Sequence, residues 1–184
     1  MSPPEVRLIG DPVLRHPAER VGDVRDPRFR EESDALIATL EDFRARHGFG
    51  RAIAAPQIGV SKRFIAVNLG RGPFLVIDPT VTRRSEDTFS MWDDCMSFPW
   101  LLVRVRRHRS VSLDYTDRDG NRLMWRDLDV ATSELLQHEL DHLDGVLAID
   151  RAETPAGLVA RELFERDRDR FADQVDYTIR PAGA

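Results

Sequence analysis

The pentapeptide His138-Glu139-Leu140-Asp141-His142 constrains this chain most, because on a helix it sets two imidazoles one turn apart with a carboxylate beside them. The flanking residues favour that helix. Leu135, Leu136, Leu140 and Leu143 recur at helical spacing, and Gly145 stands where a helix C-terminus needs a residue tolerant of the left-handed conformation. The helix is predicted to begin near Val130. Such a layout suits a cation that activates water for hydrolysis. A solvated helix carrying Glu139 and Asp141 as ordinary surface charges is the plainer alternative. A third ligand separates the two, since catalytic sites of this kind use three protein groups and keep one position open.

Three sources offer that ligand. A continuation to His-Glu-x-x-His-x-x-Gly-x-x-His is followed as far as Gly145, but Ala148 occupies the third histidine position, so it fails. Glu162 lies in Arg161-Glu162-Leu163-Phe164-Glu165-Arg166-Asp167, whose alternating charges read as a solvated helix face. Cys95, the sole cysteine, lies in Trp92-Asp93-Asp94-Cys95-Met96-Ser97-Phe98-Pro99. It has no partner for an internal disulfide, so it is core filler, a nucleophile or a ligand.

Three separated segments, in order, resemble the peptide deformylase family. They are Gly50-Arg51-Ala52-Ile53-Ala54-Ala55-Pro56-Gln57-Ile58-Gly59, Asp93-Asp94-Cys95-Met96-Ser97-Phe98-Pro99, and Gln137-His138-Glu139-Leu140-Asp141-His142-Leu143-Asp144-Gly145. The third matches intact. Against the family patterns Gly-x-Gly-Leu-Ala-Ala-Pro-Gln and Glu-Gly-Cys-Leu-Ser, the chain departs at Ala52, Ile53, Asp93, Asp94 and Met96. The resemblance runs from about Asp11-Pro12-Val13-Leu14-Arg15 to Ile149-Asp150.

The resemblance implies that Cys95, His138 and His142 hold one divalent metal ion, with Glu139 as proton carrier. Gln57, through its side-chain amide, and Met96, through its backbone N–H, would stabilise the oxyanion. Gly50, Arg51, Ala52, Ile53, Asp93, Glu134 and Leu135 would contact substrate. A thiolate with two imidazoles suits Fe(II), Zn(II), Ni(II) or Co(II), and not the oxygen-seeking Mg(II) or Ca(II). The resemblance implies Fe(II) first. The implied reaction removes the formyl group from N-terminal formylmethionine of nascent polypeptides and releases formate.

The departures carry expectations of their own. Asp94, where the family has glycine, either changes the backbone or turns its carboxylate outward. Asp93, one methylene shorter than glutamate, can still pair with an arginine such as Arg107. Glu134 precedes His138 by one helical turn and falls on the ligand-bearing face, where the family places an apolar lining residue. A carboxylate there needs a partner, and Arg51 is the candidate. An altered pocket would suit an amidase or deacylase acting on another N-acyl substrate. A catalytically silent relative that binds formylated N-termini, or a structural metal site, is the non-enzyme alternative. Glu139 argues against it, since a structural site needs no neighbouring base.

A chain of 184 residues, 41% of them hydrophobic, is long enough for one domain spanning residues 1–184. Its net charge of −5 and lack of a basic block give no indication of nucleic-acid binding. The lone cysteine, the absence of an apolar leader in Met1–Arg7, and the absence of an apolar run long enough for a bilayer predict a cytoplasmic protein with no membrane partner. It is expected to be monomeric and to meet its peptide substrate at the ribosome.

Asp26-Pro27 with Phe29, Leu36, Ile37, Leu40 and Phe43 predicts a capped amphipathic helix stopped near Gly48. Strands are predicted for residues 63–69, 74–77, 103–106 and 111–115, with a hairpin return over 121–125 after Asp117-Arg118-Asp119-Gly120. Thr154-Pro155 is expected to open a last helix over about 155–173, with Leu158, Val159, Leu163 and Phe164 on one side. This order predicts an α+β fold: mostly antiparallel sheets packed around a central helix carrying the His-Glu-x-x-His motif, with N-terminal and C-terminal helices.

Overall fold

The computed structural model describes residues 3–179. Asp26 caps the first helix, α1 (Pro27–His47), by accepting from the Arg28 amide at 2.8 Å, and Gly48 closes it in the left-handed region at φ 72°. Its buried residues, among them Phe29, Leu36, Leu40 and Phe43, form the stripe read from the sequence.

Five strands follow in one antiparallel sheet: β1 (Ala52–Ala54), β2 (Phe64–Val67), β3 (Phe74–Arg84), then β6 (Val111–Thr116) and β7 (Arg122–Trp125), in the spatial order β1-β2-β3-β6-β7. The β6–β7 pair is the hairpin expected after Asp117-Arg118-Asp119-Gly120, with Leu113 opposite Trp125 and Thr116 opposite Arg122. A second antiparallel sheet holds β4 (Thr88–Asp94), β5 (Leu101–His108) and β8 (Leu158–Ala160), in the order β4-β5-β8.

The motif helix, α2 (Val130–Leu143), is the element to which both sheets contribute. Asp129 caps it by accepting from Thr132 N at 2.8 Å. Leu135, Leu136, Leu140 and Leu143 pack with Ala52, Ala54, Ile65, Val67, Val76 and Leu113 of the five-stranded sheet. Every residue from Thr132 to Leu143 is buried, so eight polar side chains, Thr132, Ser133, Glu134, Gln137, His138, Glu139, Asp141 and His142, lie inside the protein. Buried polar groups need partners, and those partners come largely from the second sheet. Gly145 ends the helix at φ 73°, pressed so close to Arg15 that a Cβ would stand 2.7 Å from the Arg15 carbonyl oxygen.

The single C-terminal helix expected over about 155–173 is replaced by three elements: β8, then α3 (Arg161–Arg166) and α4 (Arg168–Ala172). Thr154-Pro155 forms a turn, with Gly157 N donating to Thr154 O at 2.8 Å. Leu101–Val103 on β5 offers a free edge, and Leu158–Ala160 pairs with it, so Val159 turns inward while Leu158 stays exposed. That alternation belongs to a strand. Asp167, at φ −135° and ψ 50°, breaks the helical path between α3 and α4. No helix among the described residues is long and apolar enough to cross a membrane.

Candidate metal centre

β4 delivers Cys95 one residue beyond its end, where the chain turns back toward β5. There the Cys95 thiol meets the inward face of α2. Cys95, His138 and His142 each present one ligand atom, and these lie within 4.8 Å of one another. Cys95 Sγ stands 3.2 Å from His142 Nε2. Metal–sulfur and metal–nitrogen bonds of about 2.3 and 2.0 Å at a tetrahedral angle span an edge of ~3.5 Å, so the two atoms already sit on nearly the right scale. Glu162, the rival third ligand, is exposed on α3 outside this cluster.

His138 Nδ1 is held at 3.0 Å by Asp93 Oδ2, which leaves Nε2 as the ring atom available to a cation. Asp93 in turn accepts from Arg107 Nη2 at 2.9 Å, the pairing expected from its shorter side chain. Asp93 is 3% exposed, and its Oδ2 is shared by both partners; in place of the expected substrate contact, the structure sets it behind His138, a candidate ligand, where it fixes the ring. Arg107 also binds Asp141, a residue the sequence marks only as a helix charge; Arg151 Nη2 holds the other oxygen of Asp141 at 2.8 Å.

Electrostatics follow from this burial. Burial pushes Asp93 up, but the charges and hydrogen bonds of His138 and Arg107 outweigh it and hold the carboxyl well below the usual range. Burial disfavours the imidazolium of His138, yet Asp93 and then Cys95 overcome that and raise it well above its ordinary value. His142 goes the other way, lowered first by burial and then by the charge on His138. The site therefore prefers a neutral ring at His142 facing the sulfur. Glu139 is pushed up to about 7, by burial foremost and despite the pull of His138.

Two buried polar atoms in this centre lack partners among the described residues, Glu139 Oε2 and His142 Nδ1. Native interiors rarely leave such atoms idle. The donor set and the idle carboxylate oxygen fit a cation with a reacting water beside it.

Gln57 comes from a short 3-10 turn, residues 55–58, directly after β1. Its Oε1 accepts from Ala54 N at 2.9 Å, which aims Nε2 toward Ser97 Oγ at 3.2 Å and Cys95 Sγ at 3.8 Å. Ser97 is a participant that sequence reasoning missed; its amide also points at Cys95 Sγ, 3.4 Å away. The Met96 amide makes no backbone hydrogen bond among the described residues. Gly50, at φ 106°, lies against Met96, where a Cβ would stand 2.5 Å from the methionine methyl.

The remaining expected contacts divide. Arg51 pairs with Glu134 and also donates to Ala131 O at 2.9 Å. Glu134, 2% exposed, is thus turned inward and not out at a rim. Burial, partly offset by Arg51, pushes its pKa up to about 7. Ile53 is fully enclosed in the core around α1, so its side chain serves packing and not an open pocket wall. Ala52 and Leu135 pack in the core between α2 and the five-stranded sheet. Asp94 keeps a negative φ and pairs outward with Arg161 Nη2 at 2.7 Å.

The model of the polypeptide deformylase family matches residues 3–156. The peptide deformylase of Thermotoga neapolitana is 35% identical over 157 residues, covering 85% of this chain and 92% of the relative. That of Synechocystis is 34% identical over 161 residues, covering 85% and 82%. The crystal structure of peptide deformylase from Thermotoga maritima superposes with a TM-score of 0.75 at 32% identity, covering 84% of this chain and all of that one. A Synechococcus elongatus peptide deformylase in complex with actinonin gives 0.74 at 30% identity, covering 94% and 87%. Geometry and kinship agree, and the chain belongs to the polypeptide deformylase family.

Proposed function

We propose that this chain is a metal-dependent hydrolase that removes the formyl group from the N-terminal formylmethionine of nascent polypeptides and releases formate. The observation that carries the reading is the convergence of Cys95, His138 and His142 on one point, with the idle Oε2 of Glu139 in the same buried centre. A divalent cation held by those three residues would polarise the formyl oxygen and make a water acidic enough to lose a proton near neutrality.

The chain's own groups do the rest. Glu139 Oε2 takes the proton as the water oxygen bonds to the formyl carbon. Negative charge grows on the formyl oxygen, where Gln57 Nε2 and the Met96 N–H donate to it more strongly than to the flat carbonyl. Glu139 then passes its proton to the amide nitrogen as the C–N bond breaks, leaving formate and a free amine. A neutral amide at Gln57 serves this better than a cationic donor, since it does not repel the metal.

A thiolate with two imidazoles supports Fe(II), with Zn(II), Ni(II) or Co(II) as compatible ions. The need for a reduced Cys95 supports a cytoplasmic site of action. Action on chains at the ribosome, a monomeric state and a single domain over residues 1–184 complete the reading.

The Arg51–Glu134 pair favours one variant of it. A buried carboxylate one turn before His138 makes the side-chain pocket more polar, so the preference for methionine is weakened and other N-acyl substrates become acceptable. Anaerobic purification, metal analysis and an assay of formate release from formyl-Met peptides test the main proposal. A metal-loaded chain that releases no formate from any formyl peptide would refute it.

A further inference from the structure

On a different face of α2, lined by Gln137, Leu140, Asp141 and Asp144, a cavity of about 580 Å³ opens between the helix, β3 and β5. None of Cys95, His138, Glu139 and His142 lines it. Six arginines do: Arg20, Arg63, Arg84, Arg106, Arg107 and Arg151, against two carboxylates, Asp141 and Asp144. This excess of cations sits in a chain whose net charge is −5.

Four of the guanidinium groups have acidic partners. Arg63 pairs with Asp144 at 2.6 Å and Arg106 with Glu153 at 2.9 Å. Arg107 and Arg151 share Asp141, and Arg107 also holds Asp93. Arg20 and Arg84 form no ion pair and no side-chain hydrogen bond among the described residues, and both are exposed at the cavity. Arg107, 5% exposed, keeps its Nε without a hydrogen-bond partner. Two cations thus remain uncompensated around one concavity, with an unused buried donor on its wall.

We propose that this cavity binds a phosphate dianion, free or as the monoester of a small ligand. A phosphate monoester carries a charge of roughly −1.5 to −2 at pH 7 and three acceptor oxygens. Two free guanidinium groups match that charge, and each carries the planar fork of donors that phosphate oxygens accept. A carboxylate would leave one of them unmatched. The volume exceeds the needs of the anion alone and falls in the ordinary range for small-molecule sites, about 300–1,000 Å³. A polynucleotide is the weaker candidate, because it needs a row of free cations along an extended path, whereas Arg20 and Arg84 serve a single cavity.

The test is calorimetric titration of the metal-loaded full-length chain with inorganic phosphate and with adenosine monophosphate, in parallel with an Arg20→Ala/Arg84→Ala variant. The native chain is expected to bind phosphate saturably, and the variant at least about tenfold more weakly. Its thermal midpoint should not move, since both side chains are exposed and unpaired. Tighter binding of the nucleotide supports a monoester ligand, and equal binding supports the free ion. Unchanged affinity in the variant would place the anion elsewhere, the metal included, and overturn the proposal. So would the absence of saturable binding, or capture of a single-stranded RNA oligonucleotide by a chain that ignores both small anions.

Discussion

Asp93 Oδ2 lies 3.0 Å from His138 Nδ1 and 2.9 Å from Arg107 Nη2, so one buried oxygen fixes a proposed metal ligand and neutralises a buried cation. The first contact sets which ring nitrogen of His138 faces Cys95. Asp93→Asn keeps the shape but weakens both contacts, and metal affinity is expected to fall about 10- to 100-fold. Dialysis against a graded chelator series, followed by metal analysis, measures it; retention equal to the native chain would refute the orienting role. Asp93→Ala should unfold more readily, by about 3–5 kcal/mol, because Arg107 loses one of the two carboxylates that pair with it in the interior.

Glu139 and Cys95 separate chemistry from metal retention. Glu139→Gln preserves volume and leaves every proposed ligand in place, so it should keep the metal and lose turnover by about 10²- to 10⁴-fold. Cys95→Ala removes the thiolate and should lose the metal itself. Metal content and formate release, assayed on the same anaerobic preparations, distinguish the two outcomes. Full occupancy in Cys95→Ala together with loss in Glu162→Ala would transfer the ligand role to the glutamate.

Gly145 ties the end of the motif helix to the segment around Arg15. Its φ of 73° disfavours a side chain, and an added Cβ would meet Arg15 backbone atoms at 2.7 and 2.8 Å. Gly145→Ala should therefore destabilise the fold by about 2 kcal/mol or more, part from the left-handed backbone and part from displaced chain. Urea unfolding gives the value; a loss within about 0.5 kcal/mol would mean the Arg15 segment moves aside at little cost.

Local signals carried α1, the β6–β7 hairpin and α2 into the sequence reading: an Asp-Pro start and glycine stop, an Asp-x-Asp-Gly turn, and leucines at helical spacing. Cys95 was legible only through the order of three separated motifs. What escaped depends on distant partners. β4 is buried along nearly its whole length, including Ser90, Trp92 and Asp93, so it shows no alternation between polar and apolar residues. β8 exists because β5 had an edge to fill, and the apolar residues from Leu158 to Phe164 fit a helix equally well until that edge is known. Asp141 and Ser97 look like ordinary polar residues, because their partners lie far along the chain or on another segment. The arginine cavity draws on β3, β5, α2 and residues outside them, and no window of sequence contains it.

Glu134 should leave its mark on substrate choice. Its carboxylate is 2% exposed and paired with Arg51 on the helix face that carries His138 and His142. Formyl peptides with polar or basic first residues are expected to approach formyl-Met peptides in kcat/KM, and Glu134→Leu should restore a preference for methionine of about tenfold. A strong methionine preference in the native chain would refute the polar pocket while leaving the deformylase reading intact.

The same residue predicts a pH dependence of stability. The folded chain holds the Glu134 proton to about pH 7, against an ordinary value of 4.5, because burial outweighs the pull of Arg51. The native state therefore binds this proton more tightly than the unfolded state. Stability from the group is complete below about pH 4.5 and is lost as the pH climbs through about 7. Glu134→Gln stays neutral throughout and escapes that loss. Between about pH 5 and pH 8 the unfolding free energy of the variant should gain on that of the native chain by on the order of 3 kcal/mol. Urea unfolding of both chains at matched metal content measures the difference, in which contributions from groups not coupled to Glu134 cancel. Parallel curves would show that Glu134 ionises in the folded chain as readily as in water, and that Arg51 fully offsets its burial.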